Sequence, residues 1–276
     1  MIKINGIEIE QNNFPDGTLL VKYEPEHGLN TIEWKYESDS ELFTLYCLKR
    51  HLEETCLNEQ TNLRMYYIPN ARQDRVKTSE DIFTLKYFSE IINSLNFQAV
   101  EILDAHSNVS LALLDRVVSI PIDHYLYKAL TNIVYQETGG CMHEDREEAY
   151  KNLITFFPDE GAMKRYSSML KFPYAFGIKD RDWNSGNIKG LKLMNSEIVE
   201  GKNVLIIDDI CSKGGTFYHS AKALKEAGAK NIYLYITHCE NTILEGELLT
   251  SGLIERVYTT NSIFTKEHEK IEVFKL

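Results

Sequence analysis

The stretch that most constrains the fold is Asn203 to Phe217, Asn-Val-Leu-Ile-Ile-Asp-Asp-Ile-Cys-Ser-Lys-Gly-Gly-Thr-Phe. Val204 to Ile207 is a continuous apolar run bounded by turn residues, the pattern of a strand buried on both faces of a parallel sheet. The chain then turns at two adjacent carboxylates, Asp208 and Asp209, and passes Ser212, Lys213, Gly214, Gly215 and Thr216. A segment with Ala221, Leu224 and Ala227 on one face follows and reads as a helix ending at Gly228. Glycines let backbone N–H groups close around the oxygens of a phosphate monoester, and a helix N-terminus adds partial positive charge. Carboxylates repel a phosphate but accept well from vicinal hydroxyls, so one loop suits a phosphate and a sugar together. A plainer reading, with Asp-Asp closing a strand and Gly-Gly making a tight turn, fits the same residues.

The segment resembles the phosphoribosyl-diphosphate (PRPP) loop of type I phosphoribosyltransferases and of ribose-phosphate diphosphokinases, the PRPP synthetases. That resemblance implies Asp208 and Asp209 on the ribose hydroxyls and Ser212, Lys213, Gly214, Gly215 and Thr216 on the 5-phosphate. The usual loop reads Asp-Thr-Gly-Gly-Thr and this one Ser-Lys-Gly-Gly-Thr, so an acid is lost and a cation gained.

Upstream, Leu63 to Pro69 reads as a strand, followed by Arg72, Gln73, Asp74, Arg75 and Lys77. Cations clustered just past a strand end, in a chain of net charge −11, make either a local anion site where open α/β sheets bind ligands or a solvated charged loop. The string Ala-Arg-Gln-Asp-Arg, residues 71–75, resembles the nucleotide-contacting signature of PRPP synthetases, which simple phosphoribosyltransferases lack. The resemblance assigns Arg72, Gln73, Asp74 and Arg75 to ATP.

Other matches run in order along the chain. Phe14-Pro15-Asp16-Gly17 is a turn by its chemistry. It is similar to the family's Phe-Pro-Asp-Gly-Glu, which implies Phe14 and Asp16 at a nucleotide site, with Thr18 in place of the acid. Ala99 to Asn108 reads as a strand ending in Asp104 and His106, two apart and so able to face one side of a sheet. The family's Asp-Leu-His implies His106 on the metal-nucleotide. Asn152 to Phe157 is a strand closed by Pro158 to Ala162, similar to a Pro-Asp-x-Gly-Gly that receives diphosphate and metal; this implies Asp159 as the acid, with Ala162 where the second glycine stands. Tyr174 to Ile178 reads as a strand leading into a loop that starts Lys179-Asp180-Arg181. The family's Lys-Arg-Arg implies Lys179 and Arg181 as the catalytic cations; a charged hairpin with no task is the alternative.

The remaining pattern is scaffold. Met1 to Glu10 reads as an opening strand, Leu19 to Tyr23, Asn231 to His238 and Val257 to Thr260 as strands, and Ile271 to Leu276 as a short edge strand. Glu41 to His51 and Asp81 to Leu95 are amphipathic helices, and Leu248 to Gly252 ends another. The resemblance implies an α/β fold of two phosphoribosyltransferase-like (Rossmann-like) domains, each a mainly parallel sheet flanked by helices. Residues 1–124 form the ATP-binding domain and 125–276 the ribose-phosphate domain, with the last strand able to return to the first. Measured against the family, a first strand and helix and a closing helix are expected to be missing.

The reaction implied is Mg²⁺-dependent transfer of the diphosphate of ATP to the anomeric hydroxyl of ribose 5-phosphate, giving PRPP and AMP, with His106 and Asp159 on the metal. The altered loop raises an alternative acceptor, a larger 5-substituted ribose such as ADP-ribose, which would link the chain to NAD metabolism rather than nucleotide biosynthesis. A phosphoribosyltransferase and a non-catalytic binding subunit are the rivals. The partners expected are these small molecules and further copies of the chain in a dimer or hexamer. The net charge of −11 argues against a nucleic-acid or anionic-membrane surface. The longest apolar stretch, Val109 to Ile122, is broken by Asp115 and Arg116, and five scattered cysteines suggest reduced thiols, so a cytoplasmic location is expected. Cys141 with His143, and His238 beside Cys239, are at most half-sites for a transition metal.

Overall fold

In the computed structural model of the chain, residues 1–56, 60–140, 144–181 and 188–276 are described, without the side chains of 144–146, 179–181 and 188–190. The chain divides into two units, Met1–Pro121 and Ile122–Leu276.

In unit 1, β1 (Ile2–Ile4) and β2 (Ile7–Glu8) form a hairpin about Asn5 and Gly6, whose φ angles of 51° and 83° are the left-handed pair that a tight hairpin turn requires. The single opening strand expected for residues 1–10 is therefore two strands, because Asn-Gly reverses the chain. β3 (Gln11–Asn13) and β4 (Leu19–Val21) form a small sheet of their own. Then follow β5 (Asn30–Trp34), α1 (Ser40–Thr55), β6 (Thr61–Met65), α2 (Thr84–Ser94), β7 (Val100–Leu103), α3 (Asn108–Leu113) and β8 (Val117–Ile120). The main sheet has the order β2-β1-β5-β6-β7-β8, with β5 to β8 parallel. Leu45, Leu48 and Leu52 of α1 and Leu85, Phe88 and Ile92 of α2 recur at helical spacing, and they share a core with Ile32, Leu63 and Ile102 of the strands.

Unit 2 contains α4 (Asp123–Glu137), α5 (Glu144–Lys151), β9 (Leu153–Phe157), α6 (Glu160–Tyr166), β10 (Tyr174–Arg181), β11 (Ile188–Met194), β12 (Asn203–Cys211), α7 (Gly215–Glu226), β13 (Ile232–Cys239), β14 (Arg256–Thr260) and β15 (Ile271–Phe274). Its sheet runs β11-β10-β9-β12-β13-β14-β15, and every pair is parallel except β10 with β11. The chain leaves β9 toward β10 on one side and β12 toward β13 on the other. The carboxyl ends of β9 and β12 thus flank the switch point where open α/β sheets bind ligands.

Several expectations are corrected here. Asp123 and His124, assigned to the first domain from sequence, begin α4. α4 and α5 have no counterpart among the elements read from the sequence, and α4 buries Leu126, Ala129, Leu130, Ile133 and Val134. The segment from 248 to 252 does not end a helix; a 3₁₀ turn at Asn241–Glu245 precedes it, and Gly252 has φ 70°. The last strand stays in unit 2, paired with β14 through Val257↔Ile271 to Thr260↔Phe274. Among the described residues no helix is long and apolar enough to cross a membrane, and Cys47, Cys56, Cys211 and Cys239 are not in disulfides.

β12 is the central strand of unit 2, and Ile206 is fully buried in the core with Phe156, Ala221 and Ile236. Ile206→Ala should destabilise the fold by about 2–5 kcal/mol through lost burial and a residual cavity. Chemical denaturation reads this directly; a loss below about 1 kcal/mol would contradict the packing described.

Candidate functional site

The apolar run of β12 does not stop at Ile207. Asp208 pairs with Ile236, Ile210 with His238 and Cys211 with Cys239 on β13, so both carboxylates sit within the strand and the turn comes later, at Ser212–Gly214. Successive side chains on a strand leave on alternate faces. The burial follows suit, Asp208 and Ile210 being half-buried and Asp209 and Cys211 buried. Asp209 lies 3.3 Å from Arg165 Nη1, and Asp208 accepts the backbone N–H of Asp209 at 3.0 Å.

Burial pushes the Asp208 carboxyl well above its usual range, and the nearby Asp209 and then Asp159 push it further. Three carboxylates are thus within mutual influence at the ends of β9 and β12.

The two helices starting here have different N-termini. Asp159 is the N-cap of α6 and accepts from Ala162 N at 3.1 Å, so that helix end is filled by its own chain. Pro158 to Ala162 thus leads into a helix capped by Asp159. At α7 the N-cap is Gly214, with φ 81°, and it has no side chain to offer. The first-turn N–H groups there have no side-chain cap, which is the arrangement that receives an anion.

The loop is held from behind. A Cβ added at Gly246 would lie 1.9 Å from the carbonyl oxygen of Lys213, so only glycine allows this approach. Lys213 Nζ pairs with Glu245 Oε2 at 3.1 Å, both side chains being more than half exposed. Sequence reasoning missed Gly246, Glu245 and Arg165. Only the glycine leaves a local signal, that of a turn residue.

In unit 1, Arg72, Gln73 and Arg75 are exposed beyond β6, whereas Asp74 is buried and pairs with Arg75 Nε at 2.9 Å. Burial works against ionisation of Asp74, but the contact with Arg75, helped by Ser107 and the charge of His106, prevails and holds its carboxyl below the usual range. The loops after β6 and β7 therefore meet. Gln73 accepts from Thr84 Oγ1 at 2.7 Å, tying the same loop to α2. β7 ends at Leu103, and Asp104 turns left-handed with φ 45°, so Asp104 and His106 do not continue the strand alternation expected of them.

Phe14 is 49% exposed at the tip of the β3–β4 hairpin. Asp16 accepts from Thr18 N and Oγ1 at 3.0 and 2.7 Å, and these bonds lower its pKa.

Lys179 and Arg181 lie on β10, paired with Leu191 and Ile188 of β11, rather than in a loop; the register shifts between Asp180 and Arg181. Their side chains, and the loop expected through Asn187, lie outside the described residues, as do Cys141 and His143. His106 belongs to unit 1 and Asp159 to unit 2. Among the described residues no group of three or more His, Cys, Asp or Glu is placed to hold a metal ion. His238 instead shares a hydrogen bond of 2.8 Å with Ser262.

A model of the phosphoribosyl transferase domain matches residues 162–247. The ribose-phosphate pyrophosphokinase of Bacillus subtilis (strain 168) is 31% identical over 220 residues, 78% of this chain and 63% of the relative. That of Corynebacterium ammoniagenes is 31% identical over 217 residues, 76% of this chain and 62% of its own length. The chain thus spans somewhat less than two thirds of these relatives. The crystal structure of phosphoribosylpyrophosphate synthetase from Mycobacterium smegmatis matches with a TM-score of 0.74 over 97% of this chain and 86% of that one, at 18% identity, a likeness of fold.

Two outcomes follow from the geometry. Gly246→Ala should cost about 1–3 kcal/mol or more by overpacking against Lys213, and amide shifts at 212–216 should move with it; unchanged shifts would refute the contact. Asp208 binds its proton more tightly in the folded than in the unfolded chain. Its effect on stability is therefore unfavourable at neutral pH and fades as pH falls through the raised value. Asp208→Asn should raise the melting temperature at pH 7, with the gain shrinking toward pH 4; a loss at pH 7 would contradict the crowding of charge.

Proposed function

The chain is a homologue of the ribose-phosphate pyrophosphokinases, and on that premise we propose that it transfers the β,γ-diphosphate of ATP to the anomeric hydroxyl of ribose 5-phosphate, giving PRPP and AMP. The observation that carries the reading is the uncapped N-terminus of α7 directly after an acid pair, in the same chain as an arginine loop braced by Asp74. A phosphoribosyltransferase has use for the first of these and none for the second.

In this reading Arg72, Gln73 and Arg75 bind ATP, with Phe14 and Asp16 at the nucleotide, and Asp74 fixes the direction of Arg75. The N–H groups from Ser212 to Thr216 take the 5-phosphate, and the Asp208–Asp209 pair forms the ribose-hydroxyl side of the site. Lys179 and Arg181 meet the charge that develops on the transferred group. Such transfer depends on in-line placement and electrostatic stabilisation more than on covalent help.

Mg²⁺ fits the donor set. On a triphosphate it keeps several waters and takes one or two protein ligands, and the crowding that raises Asp208 is relieved by a nearby cation. Asp159 and His106 are the residues assigned to the metal-nucleotide, where the ion would neutralise phosphate oxygens. The chain would act on small molecules in the cytoplasm as a homo-oligomer.

A second acceptor, ADP-ribose, is favoured by Lys213, which adds positive charge to the loop. Glu245 pairs with that cation and offsets much of the gain, so ribose 5-phosphate is the acceptor we put first.

AMP release from ATP with each acceptor tests the reading. Ribose 5-phosphate should support turnover, and Lys179→Ala should lower kcat by about 10²–10³-fold with a smaller change in KM. No AMP with either acceptor, or consumption of PRPP that requires a free base, would overturn it. Unchanged turnover in the lysine variant would remove Lys179 from catalysis.

A further inference from the structure

Adjacent carboxylates on one strand are easily treated as an equivalent pair, but their surroundings here differ. The Asp209 side chain is 3% exposed and that of Arg165, its ion-pair partner at 3.3 Å, is 26% exposed. Arg165 is itself held, because Nη1 donates to Tyr166 Oη at 3.2 Å and the guanidinium lies 5.3 Å from the Tyr166 ring centroid. Tyr166 is fully buried. α6, which carries both residues, packs against β9, β10 and β12. Asp208 is half-buried beside the loop and accepts the next backbone N–H.

A carboxylate this buried stays charged only where a cation compensates it. Without such compensation Asp209 would take up a proton or draw in water, and either change would disturb the strand segment that carries Asp208.

We propose that Arg165 is a positioning residue of the sugar site: its guanidinium holds the carboxylate of Asp209 inside the protein, so that Asp208 is the member of the pair presented to the vicinal hydroxyls of a pentose 5-phosphate. The inference rests on the sugar-phosphate reading of this loop. It divides between two roles a pair that the sequence presents as one, and it gives α6 a function beyond its cap. Arg165 touches no substrate in this scheme and acts only through Asp209.

The test is a double-mutant cycle on the full chain, with ribose 5-phosphate binding measured by calorimetry. Arg165→Leu should weaken binding about tenfold in the wild-type background and by less than about twofold where Asp209 is already Asn, because the charge to be compensated is gone. Arg165→Lys should recover most of the affinity. Thermal melting of each variant separates loss of fold from loss of binding.

An equal loss from Arg165→Leu in both backgrounds would mean that the arginine acts independently of Asp209 and would overturn the proposal. So would wild-type binding left unchanged by Arg165→Leu. Absence of ribose 5-phosphate binding by the wild-type chain would instead remove the sugar-phosphate reading, and the inference with it.

Discussion

Like charges at adjacent positions of a buried strand repel, and the ends of β9 and β12 bring Asp159, Asp208 and Asp209 within reach of one another. In a medium of low polarity such a group persists only where each charge has its own compensation. Asp209 has Arg165, Asp159 has the N-terminus of α6, and Asp208 accepts the N–H of Asp209. The raised proton affinity of Asp208 means that a cation arriving nearby would ease its ionisation. The pairing of β9 with β12 serves the same need, since it brings Arg165 of α6 beside Asp209.

The phosphate side of the proposed site depends on what is absent from a helix end. Gly214 as N-cap leaves the first turn of α7 without a side-chain acceptor, whereas α6 satisfies its own first turn through Asp159. Two helices that begin at the same edge of one sheet are therefore not interchangeable as anion sites. The close approach of Gly246 to Lys213 sets the loop's path, and Glu245 meets the cation that the loop gains relative to the family pattern. In unit 1 a comparable pairing holds, between buried Asp74 and exposed Arg75.

Much of the fold was legible because apolar runs and helical stripes are local signals. The strands at 203–211 and 232–239 and the helices at 40–55 and 84–94 all show them. The misses have physical reasons. Asn5-Gly6 carries the standard hairpin signal, but the alternation of isoleucines on either side masked the reversal. β10 was cut short at Ile178 because Lys179-Asp180-Arg181 is charged, yet these residues pair with the outer strand β11, beyond the stretch of β10 that pairs with β9. α4 carries the helical stripe Leu126, Ala129, Leu130, Ile133 and Val134, a local signal set among polar residues on its other faces. Of the site, the acid pair and the glycines came from the chain's own pattern, while Arg165 and Glu245 did not. They reach the loop from 44 and 32 residues away, counted from Asp209 and Lys213, and only the strand order brings them there.

The central claim is that the loop between β12 and α7 receives a sugar phosphate through backbone N–H groups. Amide shift mapping on isotopically labelled chain, titrated with ribose 5-phosphate, tests it most directly. The account predicts the largest changes at Ser212, Lys213, Gly214, Gly215 and Thr216, with smaller ones at Asp208 and Asp209. Changes centred on the N-terminus of α6, or a titration that leaves 212–216 still while other residues move, would contradict it.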